Sequence, residues 1–506
     1  MQGKADPNRQ MLDAAAFCRG LVEDGTVYAF LADHRDELFR EEDFADLFPS
    51  GRGRPSIPAV LVCSVMVLQA LEGLSDRDAI HQLRTRIDWK VACGLALDDP
   101  GFDFTVLTYW RTRLRKSSRP QRIFDAVRAV VEATGVLANK TRRALDSTIL
   151  DDAVATQDTV TQLISAMRKV RKAVPEAALV PLSTATDEGG KPVIEWSDTS
   201  ARDALVTGLV HDAEAVLAAA EQSPSAEIAA EVIGLLALIA GQDVEPGESP
   251  GSWKIAKKVA KDRVISTVDT EARHGHKSTA VRTDGFKAHL ASEPDTGIVT
   301  AIKVTPANHP DGPVGVALMA GEPDGLEVLA DSAYGSGRTR SELGECHHRL
   351  VIKPLPSRPV VPGGFVRDDF AVDHDARTVT CPAGHTARLS GAGSAKFAPH
   401  CSTCPLKARC TKASARSFTV SEHDAELVAA RVAWRDEELR ATYRTHRPMA
   451  ERAISWLVAK GNRRFRYRGV ERNEAWAHRR VAALNLRKLV LLGLTREDGN
   501  WVLATT

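Results

Sequence analysis

The sequence predicts an α/β protein with a mixed sheet at its centre, on three observations. Four short apolar, β-branched runs bounded by turn residues follow one another: "KSTAVRTDGFKAHLA", "GIVTAIKVTPAN", "LEVLADSAY" and "HHRLVIKPL". A fifth run, "RRALDSTILDDAV" at 142–154, stands well upstream with an acid in its middle. Helical patterns flank these runs and separate some of them, which argues for a mixed sheet rather than an all-β fold. With 506 residues, 43% hydrophobic and 26% charged, the chain has an ordinary globular composition. It is too long for one compact core, so about two to four domains are expected.

The elements follow in order. Residues 1–140 read as a helical domain. "SIPAVLVCSVMVLQALEGLSDRDAIHQL" carries a long apolar helix, a stop at Gly73 and a new N-cap at Ser75. A helix from about Thr105 ends in Arg111, Arg113, Arg115 and Lys116. Helix, short turn and basic helix resemble a helix-turn-helix, and a plain helical bundle with a charged surface fits as well. Residues 141–156 hold the first strand of the sheet. Residues 157–262 read as a helical insertion, Ala-rich and amphipathic, with "STATDEGGKP" and "GQDVEPGESPGS" as exposed linkers. Residues 263–355 supply the remaining strands, 356–418 a cysteine-bearing insertion, and 419–506 helices from about Ala425 to the end.

No apolar run reaches membrane-spanning length, and "MQGKADPNRQMLDAAAFCRG" lacks the pattern of a signal peptide. A cytoplasmic location without a membrane partner is expected. Net charge is only +1, but Arg440–Val490 holds 14 Lys/Arg against three acids. That local excess suits a polyanion. Within it, "GNRRFRYRG" interleaves Arg463, Arg464, Arg466 and Arg468 with Phe465 and Tyr467. The arginines suit a phosphate backbone, whether the aromatics stack on bases or pack in the core.

Three carboxylates draw notice. Asp146 lies in "ALDSTIL", Asp331 ends the run "EVLAD", and Glu451 lies on a helix whose apolar face includes Met449, Ala453, Ile454, Leu457 and Val458. Arg447 stands one turn before Glu451, on the same face. A carboxylate at the end of a buried strand is costly unless hydrated, paired or metal-bound. Two strand-borne aspartates and a helix-borne glutamate can meet at a sheet edge and hold two Mg2+ ions about 4 Å apart, as phosphodiester chemistry requires. Asp151 and Asp152 are expected to face solvent or assist the site. Asp269 precedes a strand, and Asp284 forms a turn pair with Gly285.

Four of the eight cysteines, Cys381, Cys401, Cys404 and Cys410, fall within 30 residues. The Cys401-x-x-Cys404 knuckle with the two outlying cysteines can complete a structural zinc site, His385 or His400 being substitute ligands. Such a staple is expected where a small module lacks an apolar core. A set of reduced loop thiols is the alternative.

Taken together the chain resembles bacterial insertion-sequence transposases of the Asp-Asp-Glu type, which have a ribonuclease-H-like core. "GRGRPSIPAVLVCSVMVLQALEGLSDRDAIHQL" and "DDPGFDFTVLTYWRTRL" are similar to their N-terminal helical domain. "ALDSTILDD" resembles the first-aspartate strand, "VLADSAYGS" the second-aspartate motif, and "HRPMAERAISWL" with "GNRRFRYRG" the glutamate helix and its basic tail. The resemblance implies Asp146, Asp331 and Glu451 as the catalytic triad, holding two Mg2+ or Mn2+ ions. It implies Arg447 and Lys460 as contacts to transposon-end DNA. Tyr443 is displaced by one residue from the family spacing, and Val458 stands at the family's Lys position with Lys460 two residues on. Arg111 and Arg113 join Arg463, Arg464, Arg466 and Arg468 as expected contacts to double-stranded DNA. A homodimer or higher oligomer, a nucleoid-associated location and a cysteine-rich insertion between the second Asp and the Glu are implied too. A DNA-binding regulator that has lost catalysis, or a nuclease without strand transfer, are the alternatives.

Overall fold

The computed structural model describes residues 1–4, 12–50, 52–184, 191–258, 260–276 and 282–504. The N-terminal region is helical. Its central helix α1 (Ala59–Glu72) is almost wholly buried and ends at Gly73, whose φ of 69° is the left-handed conformation that closes a helix. Helix α2 (Asp76–Thr85) is capped by Ser75, whose hydroxyl accepts from the Asp78 N–H at 3.1 Å. The pair is bent by 109°. Helix α3 (Thr105–Lys116) buries Leu107, Trp110 and Leu114 and carries the basic cluster at its far end.

The central sheet has six strands: β1 (Arg142–Asp151), β2 (Arg273–His276), β3 (Arg282–Ser292), β4 (Val299–Pro306), β5 (Glu327–Ala330) and β6 (Arg349–Ile352). β1 pairs antiparallel with β3, from Ala144 opposite Ser292 to Asp151 opposite Gly285. On its other edge β1 pairs parallel with β5, and β5 parallel with β6. β2 and β4 both pair antiparallel with β3, along successive halves of its far edge. This curled mixed sheet is consistent with a ribonuclease-H-like core. Asp284 and Gly285, expected as a turn pair, lie inside β3 instead. Gly285 has φ 151°, and a Cβ there would stand 2.4 Å from the Leu150 carbonyl oxygen, so the close approach of β1 requires glycine. The stretch 277–281 lies outside the described residues.

Each face of β1 has its own cover. Ala144 packs with Leu329, Val351, Leu439 and Ala450, under helix α8 (Glu437–Val458). Leu145 packs with Val314, Leu318 and Tyr334, under helix α7 (Asp311–Met319). The insertion builds a separate core from α4 (Thr159–Ala173), α5 (Thr199–Glu221) and α6 (Ala230–Gln242). The cysteine-bearing segment has a small apolar core as well, of Phe370, Val379, Ala395, Phe397 and Phe418. That corrects the expectation of a coreless module.

The N-terminal helices share one continuous core with the sheet and with the last long helix, α9 (Val470–Leu491). Arg480 of α9 is 2% exposed and donates to the carbonyls of Trp456 (2.7 Å), Leu71 (3.0 Å) and Leu457 (3.2 Å), as well as that of Ala70. One guanidinium thus fastens the C-terminal ends of α1 and α8 to the middle of α9. Beyond α9 the chain closes in a short hairpin, Leu494–Glu497 with Asn500–Leu503, where helix was expected. Among the described residues no single helix is long and apolar enough to cross a membrane.

Candidate catalytic site

Strand alternation decides where the first acid points. Ala144 faces α8 and Leu145 faces α7, so Asp146 comes up on the α8 side. There it meets Arg447, which grips it with both nitrogens: Nη2 to Oδ1 at 2.9 Å and Nη1 to Oδ2 at 3.2 Å. The two side chains are 13% and 6% exposed. A planar guanidinium fork on a carboxylate fixes orientation as well as charge. Burial pushes the Asp146 carboxyl above its ordinary range, Arg447 opposes that, and the negative charge of Asp331 adds to the rise. Arg447 is held above its usual value despite burial, by Asp146, Tyr443 and Asp331.

Asp331 stands directly after β5, the parallel neighbour of β1. Its Oδ1 accepts from the Ala333 N–H at 2.9 Å and caps the short helical turn Ser332–Tyr334. Glu451 is exposed on α8, one turn beyond Arg447. Tyr443, one turn before Arg447, reports on the whole group. Burial raises its phenol, the charges of Asp331 and Glu451 raise it further, and Arg447 lowers it. Asp146, Asp331, Glu451, Arg447 and Tyr443 therefore share one electrostatic neighbourhood. As the side chains stand, no group of three or more His, Cys, Asp or Glu among the described residues encloses a metal position.

Beneath Asp146 lies a polar layer that the sequence reading missed. Asp311, at the start of α7, accepts from Ser147 Oγ at 3.0 Å and pairs with Lys287 Nζ at 3.1 Å. His289 is wholly buried, with Nε2 2.9 Å from Thr305 Oγ1, and burial pulls it down to about 3, so it is a neutral imidazole. Tyr334 is buried where burial and the charges of Asp311, Asp146 and Asp331 push its phenol well up. The signal was polar residues at alternate positions on two buried strands, Ser147 opposite His289.

The other acids have other work. Asp151 is exposed, and its backbone pairs with Arg463 and Phe465. Asp152 is 4% exposed rather than facing solvent, and burial beside Asp269 pushes it up to about 6. Asp269 accepts from the Gly469 N–H at 2.9 Å, at the entry to α9. Asp284 holds His274 Nδ1 at 2.6 Å.

The basic residues divide by partner. Arg111 makes a two-nitrogen ion pair with Asp76, and Arg113 donates to the Leu47 carbonyl and stacks 4.7 Å from the Phe48 ring. Arg464 donates to the Asp152 carbonyl at 2.7 Å, and Arg466 to that of Gly73. Arg463, Arg464, Arg466, Arg468 and Lys460 are all exposed, and Lys460 adopts φ 60° just past the end of α8. Phe465 is 2% exposed, edge-on to Phe286 and Trp476, so this aromatic belongs to the core. The four clustered cysteines line one small cavity of about 20 Å³ with His385 and His400, whose rings stack 4.5 Å apart.

Two aspartates on neighbouring parallel strands, faced by a helix bearing an arginine and a glutamate, make a carboxylate-centred site. Residues 17–113 match a family described as a transposase domain (DUF772). Residues 380–490 match one described as a transposase DDE domain, which takes in the cysteines and Glu451 and stops short of Asp146 and Asp331. The two matches support a DDE-type transposase, and the second suggests a nucleic-acid-cleaving enzyme. No curated protein and no solved structure is matched.

Proposed function

We propose that the chain is the DNA transposase of an insertion sequence, with Asp146, Asp331 and Glu451 as its catalytic acids. The observation that carries this reading is the two-nitrogen grip of Arg447 on buried Asp146, because it seats the Glu451 helix against both aspartate strands. The donor set is hard oxygen, and Arg447 only partly offsets the penalty that burial and the charge of Asp331 put on the Asp146 carboxyl. Both features fit Mg2+ or Mn2+. Two such ions held by the three acids would supply an activated attacking oxygen and charge neutralisation at the leaving oxygen.

The chain's own residues bind and orient. Arg447 fixes the plane of the Asp146 carboxylate and opposes the rise that burial imposes on it. The Ala333 N–H and the turn after β5 fix Asp331. Arg463, Arg468 and Lys460 take the phosphates of double-stranded DNA, while Arg447 stays on Asp146. Arg111, Arg113, Arg464 and Arg466, committed to internal partners, hold the surface in shape. Residues 1–140 engage the terminal inverted repeats, and a dimer or larger assembly in the nucleoid-bearing cytoplasm joins the freed 3′-hydroxyl to target DNA. The cysteine module takes a structural Zn2+: four thiols on one cavity are a soft donor set suited to it.

The test is cleavage of a duplex carrying the ends of the DNA that flanks the gene. Mg2+-dependent nicking is expected from the native chain, with loss in Asp146→Ala, Asp331→Ala and Glu451→Ala while duplex binding persists. Binding without cleavage by the native chain would favour a regulator. Cleavage without joining would favour a nuclease.

A further inference from the structure

Two adjoining cavities lie where the N-terminal helices meet α9, and neither belongs to the carboxylate site. They measure about 380 and 340 Å³ and share Asp76, Thr108, Tyr467 and Arg479 as common walls. That is the size range of small-ligand sites. Their chemistries differ. The first is walled by Met66, Leu74, Phe104 and Trp476, with the amides of Gln69 and Asn462 and the guanidinium groups of Arg77 and Arg466 among them. The second is walled by Arg111, Arg115, Arg472 and Arg479, of which Arg115 is paired with Glu471 at 3.1 Å and Arg111 with Asp76.

Asp76 is the acid common to both walls, and its charge is already spent on Arg111 and on Gln69 at 2.8 Å. Arg479 forms no ion pair with a carboxylate among the described residues. Burial pulls it down to about 10, with Arg111 adding to the fall and Tyr467 and Asp76 opposing it. A partly desolvated cation whose nearest acid is shared with Arg111 gains from an incoming anion. A partly aromatic chamber edged with amides and two arginines, beside a second arginine-walled one, matches a flat heterocycle carrying a phosphate.

We infer that this junction binds a nucleoside phosphate, supplied by an unpaired nucleotide of the DNA on which the chain acts. The pocket stands on its own geometry, and only the DNA source rests on the function proposed above. A paired base is already stacked and hydrogen-bonded and does not fit a chamber of this size, so the nucleotide enters out of the duplex. The wall also touches the segment that follows α8. A Cβ on Gly73 would stand 2.6 Å from the Lys460 carbonyl oxygen, so the first chamber sits directly against the loop that leaves α8.

The experiment titrates a single-stranded hexanucleotide containing 2-aminopurine into the full chain, with AMP and a blunt duplex as separate probes. Thr108→Trp plugs the junction of the two chambers from an exposed position. Arg472→Gln, also exposed, removes one wall charge and guards against misfolding of the first variant. Each variant should weaken the single strand by about tenfold, the worth of one stacked base or one phosphate contact, with thermal melting and duplex binding little changed. Single-strand binding that neither variant weakens overturns the pocket, and so does an equal loss for single strand and duplex. AMP binding as tightly as the oligonucleotide overturns the DNA source. Failure of the native chain to cleave duplex, with the pocket effects intact, tells against the transposase reading alone.

Discussion

Replacing Arg447 by methionine leaves the Asp146 carboxylate buried without its partner. The pair is made through two hydrogen-bonded contacts at 2.9 and 3.2 Å, between side chains only 6% and 13% exposed. Breaking a buried pair from one side typically costs about 3–5 kcal/mol, because the remaining charge stays desolvated. Asp146 retains a path to the open side of the site, so the lower end, about 3 kcal/mol, is expected for Arg447→Met. Asp146→Asn alone strands the guanidinium and should cost about 2 kcal/mol. The double variant removes both charges and should fall well short of the sum, giving a coupling energy of about 2 kcal/mol. Urea unfolding followed by circular dichroism measures all four corners of the cycle, read on the transition that includes the sheet. Additivity within about 0.5 kcal/mol would refute the reasoning, since groups that do not face each other behave so.

Other perturbations test other parts. Asp152 stands at about 6 in the folded chain against an ordinary 3.8, so the folded state binds the extra proton between those values and stability falls as pH rises through that window. Asp152→Asn should remove that slope and stabilise the protein at pH 8 by up to about 3 kcal/mol, as read from urea midpoints at a series of pH values. Cys404→Ser should lower bound zinc, measured by elemental analysis, together with thermal stability, and an unchanged metal count would refute the zinc module. Arg480→Met strands at least four carbonyls that now share one guanidinium and should cost about 4 kcal/mol, with faster proteolysis between the N-terminal helices and the sheet.

Much of the sheet was legible because β-branched runs and turn residues mark strands whatever their partners. Strand β2 was less so, since "RHGH" is short and polar and owes its place to pairing with β3. The break between α1 and α2 was readable from Gly73 and Ser75. The single core joining the N-terminal helices to α9 was not, because apolar periodicity gives a buried face without saying what covers it. Pro448 lies inside α8, where local rules favour a stop, and packing on the sheet carries the helix through it.

For the site, Asp146, Asp331 and Glu451 stood out by environment, an acid in or after an apolar run. Arg447 followed from helical spacing. Asp311, Ser147 and His289 did not, because each is an ordinary polar residue until the fold stacks them under the first aspartate. The arginines show the converse limit. Arg111 and Arg463 look alike in sequence, and only the structure separates one bound to Asp76 from one that is exposed.

The heart of the proposal is that three distant carboxylates together grip divalent cations. Titration with Mn2+, counted by the loss of the free-ion paramagnetic resonance signal, addresses it without needing the DNA sequence. Two bound ions in the native chain, and fewer in each of Asp146→Asn, Asp331→Asn and Glu451→Gln, is the expected result. Full Mn2+ binding retained in Glu451→Gln would contradict it, because the helix acid would then take no part in holding the metal.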